Sequence, residues 1–346
     1  MPHESRLSFT PEELLADVPV AEPLIVNGVR CHGGFDADGR YHSPRTLYRN
    51  PAIGAWQEQH LKSSPLPLVA IPDDAVPPHS ISADQTRLLV REGVREPVIR
   101  LLTEIAIVEG FGAMIRELPV PALKSFIRED TAGTALDHLA RGLFEAHARD
   151  EAGWEREGGH RQMWEAARDA AFSNPPVSPE VFAAIIARRA SEPPRMFPAL
   201  DAAVERLIRF MVNVLAIEVF ARSTFAWAEE VLSDPSVSDA PDEAANLVRY
   251  IRSDETPHVE YLRTALSELS ARTLYGSDGT ELSGKQVVDA LMDRTLRAMI
   301  RQRVNDRSAQ IKDVIRRTAG RGGVEELIER FDAMATPWTP PARYAV

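Results

Sequence analysis

The sequence predicts a mainly α protein: four long helices packed as a bundle, preceded by an irregular N-terminal arm and followed by extra C-terminal helices. Three observations predict it. Apolar residues recur at threes and fours up to Glu109, through 202–232 and through 242–270, which is the spacing of a helix face buried against neighbours. Many of the residues that punctuate helices, Pro and Gly, fall instead in the first eighty positions and in short joints. Lone glutamates interrupt two of the apolar runs, Glu109 in Ile105-Ala-Ile-Val-Glu109-Gly-Phe and Glu218 in Val214-Leu-Ala-Ile-Glu218-Val-Phe. A carboxylate in such a face is costly to bury unless it is paired or bound to a metal.

With 346 residues, 44% of them hydrophobic, the chain can bury a large core. We expect an arm over 1–80 packed on a bundle over 81–275, with a helical extension over 276–346. The net charge of −11 argues against a nucleic-acid partner held by the overall field, and the basic residues between Arg294 and Arg317 read as a solvated face. No run of eighteen apolar residues occurs, and Met-Pro-His-Glu-Ser lacks the regions of a signal peptide. Together with the single Cys31, this gives the expectation of a cytoplasmic protein with no membrane contact and no disulfide framework. One cysteine also leaves any metal to carboxylates and imidazoles, ligands that suit iron or manganese.

Each element follows in order. The arm alternates short runs such as Leu24-Ile-Val-Asn-Gly-Val-Arg30 with turn residues and reads as loops with one hairpin; from Leu61 to Pro78 five prolines deny a helix. Helical spacing starts at Ser82-Ala-Asp84 and runs through Leu88, Leu89, Val94, Val98, Leu101 and Ile105 to Val108, with Pro97 kinking this helix or starting its second half. A short helix over about 122–128 follows, then a long polar one from Thr134 to about Phe172, interrupted near Gly153, Gly158 and Gly159. Further helices are expected to about Ala190, from Ala202 to Leu232, from Asp242 to Ser270, from Gly284 to Arg317 and from Val324 to Met334.

In the 242–270 helix the stripe Leu247, Ile251, Glu255, His258, Leu262, Leu266 carries two ligand-type residues in an otherwise apolar seam. A Glu and a His three apart lie one above the other on a helix face and can grip one ion. A second such pair is Glu157-Gly-Gly-His160. Chance supplies on the order of one Glu-x-x-His in a chain of this composition, so the pairs gain weight from their order and apolar setting.

That order, Glu109, Glu157-x-x-His160, Glu218, Glu255-x-x-His258, resembles the ferritin-like di-iron carboxylate proteins over roughly residues 84–271. The resemblance implies a four-helix bundle holding two iron ions, or manganese and iron, with Glu109, Glu157, His160, Glu218, Glu255 and His258 as ligands. It implies an oxygenase or oxidase that activates dioxygen to oxidise or hydroxylate a small organic substrate, served by a reductase, with a homodimer as one allowed assembly. An iron-handling protein without an organic substrate and a metal-free helical scaffold for a partner are the other readings.

Alternatives stay open in the second ligand helix. Glu151, with His147 and Leu143 on its own face, competes with Glu157, and Asp150-Glu151-Ala-Gly-Trp154 parallels Asp254-Glu255-Thr-Pro-His258 with Trp154 where the His should stand. A register change at Gly158-Gly159 would instead join Glu151 to His160. Glu104 is the less apolar competitor of Glu109, Pro257 predicts a kink or local widening, and Tyr261, one turn after His258, is a candidate for oxidation. His32, His42, His60, His79 and His138 read as surface or packing residues.

Overall fold

A computed structural model describes residues 6–187, 194–319 and 323–344. The described chain is mainly helical, with two small antiparallel sheets. In the arm, Thr10 and Glu13 cap a short helix α1 (Pro11–Leu14) reciprocally. Strands β1 (Glu22–Val26), β2 (Val29–Phe35) and β3 (Tyr41–His42) form one sheet in that order, pairing Val26 with Val29 and Gly34 with His42. Asn27 and Gly28, both at positive φ, make the tight turn that Asn-Gly favours. The expected loops give way next to a real helix, α2 (Arg49–Ser63), which enters the proline-rich stretch by three residues, Leu61, Lys62 and Ser63. Its buried face is Arg49, Ala52, Ile53, Trp56 and His60, so two polar residues hid the helical stripe.

The first long helical run is two pieces. Ser82 and Gln85 cap α3 (Ala83–Arg91), Gly93 turns the chain, and Pro97 stands in the first turn of α4 (Glu96–Gly112), where its missing N–H costs nothing. Instead of the short helix at 122–128 there is only a 3₁₀ turn at Leu123–Ser125. The long polar helix is broken twice: α5 (Ala135–His138) reaches α6 (Phe144–Ala152) through a kink at Arg141 and Gly142, which leave helical φ/ψ, and the chain loops out at the expected interruption before α7 (His160–Ala171). Then come α8 (Glu180–Ala187), α9 (Ala202–Leu232) and α10 (Pro241–Ser270). The stretch of α8 expected to reach Ala190 lies outside the described residues. Asp201 caps α9 by accepting from the Ala203 and Val204 amides. Helix α10 continues through the buried Pro257 without changing helix type. A hairpin of β4 (Thr273–Tyr275) and β5 (Glu281–Ser283) leads to α11 (Gly284–Thr318) and α12 (Val324–Ala333).

Helices α9 and α10 lie along one another, α10 lies against α7, α7 against α4, and α4 against α6, while α2 of the arm and the C-terminal α11 also pack on α10. The core divides in two. One apolar cluster takes Leu207, Met211, Leu215, Phe220, Leu262 and Leu266; the other takes Leu102, Trp164, Phe225, Leu247 and Ile251. On α9 the change-over falls between Phe220 and Phe225, and on α10 between Ile251 and Val259. Glu218 lies beside the first of these points and Glu255 and His258 within the second, so the polar residues form a layer between two apolar masses. No helix among the described residues is long and apolar enough to cross a membrane.

Glu268, near the end of α10, caps α5 from the side: its two carboxylate oxygens accept the Ala135 and Leu136 amides, each at 3.1 Å. Burial raises its pKa to about 7, against the pull of those amides. A carboxyl whose folded pKa is raised stabilises most below its unfolded value and loses that contribution as pH rises through about 7, a swing on the order of 2–3 kcal/mol. Urea midpoints should therefore fall between pH 5 and pH 8 more steeply in the native chain than in Glu268→Gln; equal slopes in the two proteins would contradict this account.

Candidate metal centre

The site is built from five helices: Glu109 on α4, His147 and Glu151 on α6, His160 at the start of α7, Glu218 on α9, and Glu255 and His258 on α10. Two overlapping groups have donor atoms all within 4.8 Å of one another, His147, Glu151, Glu218 and His258 in one, Glu151, His160, Glu255 and His258 in the other. Glu255 spans the two histidines, with Oε1 2.9 Å from His160 Nδ1 and Oε2 2.8 Å from His258 Nδ1. Glu151 Oε1 is 3.2 Å from His258 Nδ1 and 3.5 Å from both His160 Nδ1 and His147 Nε2. Glu218 Oε1 is also 3.5 Å from His147 Nε2.

Local sequence explains how α6 and α7 share one site. After Ala152 the chain turns at Gly153, whose φ of 79° suits glycine, and Trp154 and Glu157 exchange backbone hydrogen bonds at 2.9 Å in a closed turn. Gly158 then pairs with β2, accepting from the His32 amide and donating to the Arg30 carbonyl. His160 thus enters from the far side of a looped-out segment and faces Glu151. The expectation that Glu157 and His160 form an i, i+3 pair on one helix is corrected here: α7 begins at His160, and Glu157 points outward beside Arg30, at 3.5 Å and one-third exposed. Glu151 Oε1 instead lies 3.5 Å from both His147 and His160, the two histidines between which the competing readings chose. Glu104 is turned away and ion-paired with Arg100 at 3.0 Å.

Outside this ring stand two aspartates. Asp150 Oδ2 lies 3.1 Å from His258 Nε2, and Asp254 Oδ2 lies 3.5 Å from His160 Nε2. Each aspartate precedes a ring glutamate and serves the histidine of the other helix pair. With the outer nitrogens turned to carboxylates, both histidines present Nδ1 inward. The arm holds the aspartates in turn. Arg45 and Arg49 donate to Asp150 at 2.6 and 2.7 Å, while His32 Nε2 and the Tyr41 hydroxyl reach Asp254 at 2.8 and 2.9 Å. His32 is thus a buried partner of the site rather than a packing or surface histidine. The repeated Asp-Glu of 150–151 and 254–255 carried the signal for the aspartates; nothing in the spacing pointed to His32, Tyr41, Arg45 or Arg49.

The electrostatics are those of crowded acids. Burial, then repulsion from the neighbouring glutamates, pushes Glu109 and Glu218 well above the ordinary carboxylate range. Burial alone would lower His160 and His258, but Glu255 and the other carboxylates outweigh it and hold both well above the usual imidazole value. Burial and Glu255 oppose the charge of Glu151, yet His160 and His258 bring it down to about 2. His147 falls to about 3 through burial and the charge of His258, and Tyr261 Oη lies 3.2 Å from its Nδ1. Protons on His160 and His258 therefore supply positive charge that bound cations would otherwise provide.

The donor set fits metal ions. Both oxygens of Glu151, Glu255 Oε1, His147 Nε2 and the inward Nδ1 of His160 are buried without a hydrogen-bond partner, a concentration of unsatisfied atoms that folded proteins avoid unless something else binds them. Four glutamates would balance two divalent cations, and oxygen with imidazole nitrogen suits first-row transition metals. Gly112, at the end of α4, gives Glu151 its room: a Cβ there would stand 2.8 Å from Glu151 Cδ. Comparison with models of known families, with curated proteins and with solved structures gives no match in any of the three.

Proposed function

We propose that this chain is a ferritin-like di-iron oxidoreductase that uses dioxygen to oxidise or hydroxylate a small organic substrate, with electrons from a reductase. What supports the reading is the convergence of His147, Glu151, His160, Glu218, Glu255 and His258 from four helices, with unpaired buried atoms on His147, Glu151, His160 and Glu255, between two apolar clusters and beside Glu109. Two irons bound there would supply dioxygen reduction. The protein's own part is to hold them. Glu151 and Glu255, which lie between histidines, together with Glu109, Glu218 and the neutral His147 imidazole, would hold the ions. With ions in place of the extra protons, Asp150 and Asp254 would favour protons on the outer nitrogens of His258 and His160 and leave the inner nitrogens to the ions. The apolar clusters exclude water around the layer.

Plasma emission on protein expressed with iron supplied should give two irons per chain, and oxygen uptake should rise when reductant and a suitable organic substrate are both present. Protein with no transition metal would end the reading. Two irons with uptake indifferent to every organic substrate would favour iron handling instead.

A further inference from the structure

Asp150 and Asp254 lie on different helices, yet one arm residue connects them. Arg45 is buried at 2% exposure with a backbone φ of 51°, outside the regions that side-chain-bearing residues prefer. Its Nε donates to Asp150 Oδ1 at 2.6 Å, and its terminal Nη2 donates to His32 Nδ1 at 3.3 Å. A guanidinium has no acceptor, so His32 Nδ1 must carry a lone pair, and the proton of neutral His32 sits on Nε2, directed at Asp254 Oδ2 2.8 Å away. Four hydrogen bonds link His258, Asp150, Arg45, His32 and Asp254 in series, and a 3.5 Å contact carries the series on to His160. Arg49 touches the same Asp150, and no contact takes it to His32.

We propose that Arg45 is a positioning residue for both halves of the metal centre, orienting His258 through Asp150 and His160 through His32 and Asp254. The inference rests on the two-metal reading above. A planar fork fixed at two of its nitrogens, Nε and Nη2, sets the spacing of the two aspartates, and with it the direction of both inner lone pairs. Arg49, by contrast, serves the His258 half alone. The N-terminal arm is thereby part of the metal centre rather than a cover laid over it.

The test is anaerobic titration of metal-free full-length protein with cobalt(II), following the visible ligand-field bands to count ions and rank affinities. Native protein should take two ions. Arg49→Gln should weaken one of them about 10-fold or more, and Arg45→Gln should weaken both by at least about that factor. Arg45→Lys, which can still meet Asp150 but cannot fork to His32, should weaken one. A purely structural contribution would lower stability in Arg45→Gln and Arg49→Gln alike without separating their isotherms. The proposal is overturned if Arg45→Gln loses affinity for one ion only, as Arg49→Gln does, or for none. Should Arg45→Gln not fold, native affinity for both ions in Arg45→Lys overturns it. If native protein takes up no cobalt, the two-metal reading itself has failed; two ions in native protein with matching Arg45→Gln and Arg49→Gln isotherms defeat the present inference alone.

Discussion

Glu255→Ala is expected to strip both metal ions from the chain while leaving its helices folded. The Glu255 carboxylate is the one group within 3 Å of both inner histidine nitrogens, at 2.9 Å from His160 and 2.8 Å from His258. Removing it deprives each ion of an oxygen and leaves the two imidazoles unconnected, so affinity should drop by at least about 100-fold, the upper end of what even an outer hydrogen-bonding partner costs. Stability should change far less. The substitution deletes a buried acid that histidines need, which destabilises, but it also relieves repulsion on Glu109, Glu151 and Glu218; the difference should be about 1–3 kcal/mol. Glu157→Ala is the control. Its side chain is one-third exposed beside Arg30, and exposed pairs of this kind contribute roughly 0–1 kcal/mol, so both ions should remain. Metal per chain and urea unfolding on the two variants decide the matter. Loss of metal in Glu157→Ala would reverse the assignment of α6 and α7.

What the sequence could and could not disclose follows from which forces act locally. The limits of α9 and α10 were legible to within a residue, because thirty residues of unbroken apolar spacing, a capping Asp201 and an opening Pro241 all act within one element. The hairpin at Asn27-Gly28 was legible for the same reason. Helix α2 was not, since Arg49 and His60 occupy its buried face and only their tertiary partners, Asp150 for one and the Leu66 carbonyl for the other, make that tolerable. The pairing of Glu157 with His160 rested on regular helix through residues 157–160, although Gly153, Gly158 and Gly159 marked an interruption. Regularity there is broken by a closed turn at 154–157 and by pairing of Gly158 with β2, which are long-range events that no spacing rule contains. Glu151 still had a mark of its own, His147 and Leu143 on the same face and a preceding aspartate like that of Glu255.

Gly112→Ala should damage the metal centre although the new side chain carries no polar atom. On α4 a glycine normally costs about 1 kcal/mol relative to alanine, so by propensity alone the change would stabilise. Space decides otherwise. The added Cβ would lie 2.5 Å from Glu151 Cγ and 2.8 Å from its Cδ, distances that side chains do not adopt. Glu151 is buried at 1% exposure, with Gly112 on one side and His147, His160 and His258 on the other, so it cannot swing into solvent as a surface side chain would. Either α4 backs away, drawing Glu109 with it, or Glu151 is driven off the histidines. Both outcomes should weaken at least one ion by about 10–100-fold, with overpacking costing roughly 1–3 kcal/mol of stability. Gly54→Ala gives the comparison, because that exposed glycine in α2 has nothing within 4 Å of a new Cβ and should gain about 0.5–1 kcal/mol with metal content unchanged. Thermal unfolding and metal per chain, measured on both variants, test the argument. A Gly112→Ala protein that keeps two ions at native affinity would mean that Glu151 is not held where its contacts with His160 and His258 require.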